Sequence, residues 1–310
     1  MESSEIKRIV TEAGAVAVGI AEAGPVEPWA EELYRQRVSD GSFGTMDYLA
    51  RYPDVRRDPR LLLEGARSII VAAFSYKPDE EWEAMNASNS LHWARYALGR
   101  DYHEEVRERL ARVADSITTA TGASCRVTTD TAPLRERYWA VKAGVGFTGI
   151  NNQLIIPGTG SWCVLGEILT TLQLPADEPC RLSCDGCMRC VRACPGGALD
   201  GCGGMDARRC MSYITIESKE TDCPTRLKGG RIYGCDVCQE VCPHNAGVKP
   251  STIENFRPRL SIMSLTRDDI SGMEQETFSR IFTHSAIKRA KLAGLQRNAR
   301  ATDQEEIHPE

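Results

Sequence analysis

The chain of 310 residues contains no run approaching the roughly 18 apolar residues that a membrane-spanning helix needs. Its N-terminus has neither a basic region followed by an apolar stretch nor a twin-arginine pair, so export is not signalled and a cytoplasmic location is expected. Two common cofactor signatures are also missing. No Gly-x-Gly-x-x-Gly opens a helix after a strand, and there is no Walker loop. Gly144, Gly146 and Gly149 imitate the first pattern, but they follow a helical stretch instead of a strand. No low-complexity segment, heptad or apolar stripe is evident, and a monomer is the expectation.

Cysteine is plentiful, with 13 in the chain. Cys184, Cys187, Cys190 and Cys194 stand as Cys-x2-Cys-x2-Cys-x3-Cys-Pro, and Cys210 is followed by Cys235-x2-Cys238-x3-Cys242-Pro. In the bacterial ferredoxin arrangement the last cysteine of each run ligates the other of two iron–sulfur clusters. That rule assigns Cys184, Cys187, Cys190 and Cys242 to one [4Fe-4S] cluster. Cys194, Cys210, Cys235 and Cys238 fall to the other. Structural zinc and a disulfide framework are the competing uses of such cysteines. The other five do not fit the scheme: Cys180 and Cys202 flank the first run, Cys125 and Cys163 lie in apolar or strand-like sequence, and Cys223 precedes Pro224 in a loop.

The net charge of −5 argues against a nucleic-acid partner, but the charge is unevenly spread. Residues 249–300 hold ten Lys and Arg against five Asp and Glu. Lys288, Arg289, Lys291, Arg297 and Arg300 share the stretch 281–300 with no acid, and the tail 301–310 then carries four acids. A basic patch on an acidic protein suits a polyanionic partner; a solvated helix face is the plainer explanation.

Hydrophobic periodicity predicts helices over 3–14, 27–38 and 102–121, and another opened by Pro133 and closed by Gly144. Strands are predicted over 15–20, 68–75, 125–129, 152–156 and 163–170, the last two joined by the turn 157–160. This alternation implies an α/β (α+β) layer structure over residues 1–175. A boundary at 175–179 precedes a ferredoxin-like unit to 248, and a mainly helical segment fills 249–310.

The motifs Gly99-Arg-Asp-Tyr-His103, Asp130-Thr-Ala-Pro-Leu134, Ala143-Gly-Val-Gly-Phe-Thr-Gly149, Leu165-Gly-Glu-Ile-Leu169, Arg209-Cys-Met-Ser-Tyr-Ile-Thr215, Tyr233-Gly-Cys-Asp-Val-Cys-Gln-Glu-Val-Cys-Pro243 and Arg297-Asn298 follow one another at intervals that resemble the epoxyqueuosine reductase family. The resemblance covers nearly the whole chain. It implies a cobalamin-binding domain related in fold to reductive dehalogenases, two clusters, and reduction of epoxyqueuosine to queuosine at the wobble base of tRNA. This is the last step of queuosine synthesis.

The same resemblance makes Asp130 the proton donor, with helix N-capping before Pro133 as its alternative use. Burial beside the corrin is expected to raise its pKa above about 3.9. Arg56, Ala94, Leu154 and Leu165, with Asp130, match corrin-lining positions, and Ala94 stands where some relatives have cysteine; for the two leucines plain core packing is the alternative. Asp101-Tyr-His103 is part of an Asp-x-His-x-x-Gly cobalamin motif, but Val106 replaces its glycine. Lys288, Arg289, Lys291 and Arg297 become candidate tRNA contacts; for the last, as for Asn298, a structural role is the alternative. Many relatives continue into a helical-repeat domain where this chain stops, so a smaller tRNA footprint is expected. The rivals are a reductive dehalogenase-like enzyme acting on a small molecule, and an electron carrier. An electron donor is required in each case.

Overall fold

The structure, a computed structural model, describes residues 1–87, 90–220 and 230–302. Cys223 and the acidic residues from 303 onward lie outside them. Four strands form the central sheet: β1 (Ala17–Glu22), β2 (Ser68–Ser75), β3 (Cys125–Thr128) and β4 (Cys163–Thr170). Their spatial order is β1-β2-β4-β3 and every pairing is antiparallel. Helices cover both faces, which is why β2 reads as an unbroken apolar run and is buried along its whole length.

The period of two sorts the side chains of β2 between two cores. Ile70, Ala72 and Phe74 meet α1 (Ser3–Glu12) and α3 (Tyr102–Thr121) through Ile6, Val10, Val106, Leu110 and Ile117. Ile69, Val71 and Ala73 meet α2 (Pro28–Ser39) and α4 (Glu136–Lys142) through Ala30, Trp139 and Ala140. Gly166 in β4 lets α3 approach: a Cβ there would stand 2.5 Å from Val106 Cγ1.

The predicted strands 68–75 and 163–170 and helix 102–121 have the expected bounds. The strand expected over 15–20 lies two residues later, at Ala17–Glu22, and two elements differ more. The helix after Pro133 begins only at Glu136, with Arg135 as its N-cap, because residues 129–134 are spent on a turn. The strand expected over 152–156 is reduced to Leu154–Ile155, which pairs with Phe147–Thr148 and not with β4.

The cysteine-rich stretch follows the sheet, and residues beyond 258 fold back over it. Ile262, Ile270, Phe282 and Leu295 share one core with Trp93, Leu98, Ile232 and Tyr233. The C-terminal helices therefore cover the short parallel pair His92–Trp93 and Arg231–Tyr233 instead of standing apart. No helix among the described residues is long and apolar enough to cross a membrane.

Candidate active site

Asp130 lies two residues past β3, in a turn where its backbone takes the left-handed φ of 47°. A side chain there is strained unless its surroundings hold it. They do. The Asp130 amide donates to Glu136 Oε1 at 2.5 Å, and Tyr102 Oη donates to Asp130 Oδ2 at 3.1 Å. His103 Nε2 is 3.0 Å from the same oxygen, while its Nδ1 is 2.7 Å from Asp101 Oδ1. Asp101 also caps α3 by accepting the His103 amide, so the start of that helix fixes the imidazole between two carboxylates. Asp130 itself caps nothing, which removes its alternative role.

The electrostatics follow from this chain of contacts. Burial opposes charge on His103, but Asp101 and Asp130 outweigh it and push the imidazole up to about 9. Burial also opposes charge on Asp130, yet His103, Tyr102 and Arg137 hold its carboxyl below the ordinary value. The expected upward shift is therefore reversed, because sequence reasoning did not place a cation in hydrogen-bond reach. The Asp130 side chain remains 56% exposed, so the charged chain ends on an open face.

Behind the turn are two further acids. Glu136 is pushed up to about 7, first by burial and then by the charge of Asp130. Glu167 of β4 is completely buried, accepts from Thr128 Oγ1 at 3.0 Å, and is raised well above the carboxylate range by burial and by Glu136.

The positions expected to line a corrin have different environments. Arg56 donates to the carbonyls of Arg51 (3.0 Å) and Tyr48 (3.1 Å). Ala94 is buried against Gly234, whose positive φ and missing Cβ allow the contact. Leu154 and Leu165 lie in the sheet-face core with Leu134 and Trp139, where packing alone accounts for their apolar character.

The cysteines fall into two groups by proximity. Cys242 lies beside Cys184 and Cys187, and Cys190 beside Cys187 and Cys242. Cys238 lies beside Cys194, Cys210 and Cys235. These neighbours add to burial in raising the thiol pKa values. The Ile150 amide donates to Cys184 Sγ at 3.3 Å, and Ala198 donates to Cys194 Sγ at 3.3 Å. Among the described residues no cysteine is joined in a disulfide.

Comparison with known proteins gives this geometry its context. The family model "Epoxyqueuosine reductase QueG, DUF1730" matches residues 56–131, and "4Fe-4S double cluster binding domain" matches residues 183–245. The epoxyqueuosine reductase of Cyclobacterium marinum is 38% identical over 298 residues, covering 94% of this chain and 94% of that one. That of Leadbetterella byssophila is 37% identical, covering 96% of each. The chain belongs to the epoxyqueuosine reductase family. Among solved structures, an epoxyqueuosine reductase with an epoxyqueuosine-modified tRNA-Tyr stem loop matches with a TM-score of 0.83 at 27% identity, over 96% of this chain and 79% of that one. The enzyme from Streptococcus thermophilus matches with a TM-score of 0.81 at 28% identity. Membership of this family leaves the electron-carrier and small-molecule alternatives without support.

Within the family frame, one sequence expectation needs correction. Lys288, Arg289 and Lys291 are exposed, but Arg297 is only 6% exposed. Its guanidinium donates to the carbonyls of Ile214, Ser218 and Glu220 and to Asn298 Oδ1, so it cannot also hold a phosphate. Arg289 is paired with Glu217 through two contacts, at 3.0 and 2.9 Å, and lies over the Tyr48 ring at 5.2 Å. Sequence reasoning missed His103, Tyr102, Glu136, Glu167 and Tyr48. The first two lay in a motif set aside for its missing glycine; Glu167 was hidden inside an apolar strand.

Proposed function

We propose that the protein reduces epoxyqueuosine to queuosine in tRNA, with Asp130 as the group that protonates the departing oxygen. The supporting observation is the Asp130 carboxylate, open on one side and joined on the other to an imidazole with a raised pKa. Opening an epoxide to an alkene consumes two electrons and two protons and releases water. The oxygen leaves only if a proton reaches it. The proton rests on His103 and reaches the departing oxygen through Asp130, which takes it across their 3.0 Å contact as it protonates the oxygen. Asp101 keeps the ring oriented for this transfer.

Arg56, whose guanidinium holds the Tyr48 carbonyl at 3.1 Å, would meet the amides and phosphate at the edge of a bound cobalamin. When bound, cobalamin supplies the reducing chemistry at carbon. The eight thiols, in two groups of four, suit two [4Fe-4S] clusters that would pass single electrons from an external donor. Crossed ligation has a specific consequence. Cys194→Ala should spare the cluster of Cys184, Cys187 and Cys190, although it shares their run, and Cys242→Ala should spare the other. Each variant should retain about half the iron, read by iron analysis and by its paramagnetic resonance signal.

Lys288 and Lys291 present exposed basic surface for phosphates, with Arg289 beside them. Replacing both lysines with Gln should weaken tRNA binding and lower the slope of log affinity against log salt by about 0.7–0.9 for each phosphate no longer neutralised. Thermal stability should not change. The reaction itself is tested by anaerobic turnover of reconstituted protein with cobalamin, a strong reductant and epoxyqueuosine-containing tRNA. Queuosine in the digested nucleosides is the expected product; its absence from protein carrying cobalamin and both clusters would overturn the reading.

A further inference from the structure

The Asp130 turn rests on two acids that the reaction does not account for. Glu167 projects from β4 into the interior with no exposure, and only one of its oxygens has a partner: Oε2 accepts from Thr128, while Oε1 is buried without one. Its neighbour is Glu136, near enough for the two carboxyls to form a hydrogen bond. No ion pair among the described residues involves either acid. Two ionised carboxylates placed so would repel each other and leave buried charge uncompensated. A single proton between them turns that repulsion into a bond. It also gives the lone Oε1 a partner.

We propose that Glu136 and Glu167 share one proton and act together as the positioning pair of the Asp130 turn. Glu136 holds the Asp130 amide with Oε1, which offsets the strain of its left-handed backbone, and the shared proton ties Glu136 to the rigid strand β4. The sheet thereby sets where the Asp130 carboxyl points. Charged and titratable groups facing the pair are Asp130, His103, Tyr102 and Arg137; of these Arg137 donates to the Asn152 carbonyl. The raised pKa values of both acids agree with the arrangement. The positioning role rests on the reading of Asp130 given above, whereas the shared proton does not.

Two measurements on tRNA-free holoenzyme therefore test the proton by itself. An infrared carboxyl band that shifts in D2O should persist at neutral pH and disappear in Glu167→Gln. An acid with a raised folded-state pKa costs stability as pH rises from its unfolded value through the folded one. The melting temperature of the wild type should thus fall between about pH 5 and pH 8 more steeply than that of Glu167→Gln. Absence of the band together with parallel pH profiles would overturn the shared proton. For positioning, Glu136→Ala should slow single turnover by about 10²-fold, and Glu136→Gln, which retains an acceptor for the Asp130 amide, should recover most of it. Equal rates in Glu136→Ala and wild type would overturn the positioning role, and failure of Glu136→Ala to fold would leave Glu136→Gln against wild type to decide: a loss as large as 10²-fold in the isosteric variant overturns it too.

Discussion

Asp130→Asn should lower the rate of queuosine formation by about 10²- to 10⁴-fold, the range spanned by loss of a general acid. Asparagine retains the size and the acceptor toward Tyr102 and His103, so cluster content and tRNA affinity should match the wild type. The pH profile provides the sharper test. In the wild type, His103 is flanked by two carboxylates and stays protonated up to about 9. A raised histidine pKa means that its proton is present below that value and lost as pH rises through it. Proton supply to Asp130 should then persist well past neutrality, although Asp130 alone is held below its ordinary value. In Asp130→Asn one carboxylate is gone, the imidazole should fall back toward about 6.5, and the residual rate should lose its alkaline reach. An unchanged rate would remove Asp130 from the chemistry. An unchanged profile in a slow variant would separate His103 from the proton path.

Legibility of the fold followed the strength of local signals. Ser68–Ser75 and Cys163–Thr170 were readable because the centre of a sheet covered on both faces demands continuous apolar strands. Tyr102–Thr121 was readable from its period and from Gly122, whose φ of 73° ends the helix. The turn 129–134 reads in part as helix because Pro133 suits a first helical turn, and nothing local reveals that Asp130 is held by a carboxyl six residues later. The site was legible as residue types and not as couplings. Asp130 could be named, but its acidity depends on His103, 27 residues earlier, and the position of that ring depends on the cap of α3. Glu167 was silent because a buried acid in a strand has no periodic signature.

Arg297→Ala should unfold more than it unbinds. In a basic segment the residue reads as a phosphate contact, yet it is buried and its guanidinium donates at 2.6 Å to Ile214, at 2.8 Å to Ser218 and at 3.1 Å to Glu220. These carbonyls lie at and just beyond the end of the helix Met211–Ile216, where a cation also complements the helix dipole. Cys210 stands at the start of that helix. Asn298, bonded to the same guanidinium, donates at 2.8 Å to the Thr215 carbonyl and at 2.9 Å to the Ile232 carbonyl, three residues before Cys235. The Arg297-Asn298 pair thus fastens together the segments that carry Cys210 and Cys235. Truncating the arginine takes the donor from the buried Ile214 carbonyl, from the buried Asn298 Oδ1 and from the half-buried Ser218 carbonyl, a loss of about 3–5 kcal/mol at roughly 1–3 kcal/mol for each buried group left unpaired. At roughly 2–4 °C per kcal/mol for a large domain, the melting temperature should fall by about 6–20 °C. Iron in the cluster of Cys194, Cys210, Cys235 and Cys238 should be lost preferentially. Lysine should not rescue the variant, because a single ammonium cannot reproduce the planar fork that serves three carbonyls and an amide oxygen. A variant with full stability and both clusters but weakened tRNA binding would restore the phosphate role that burial denies it.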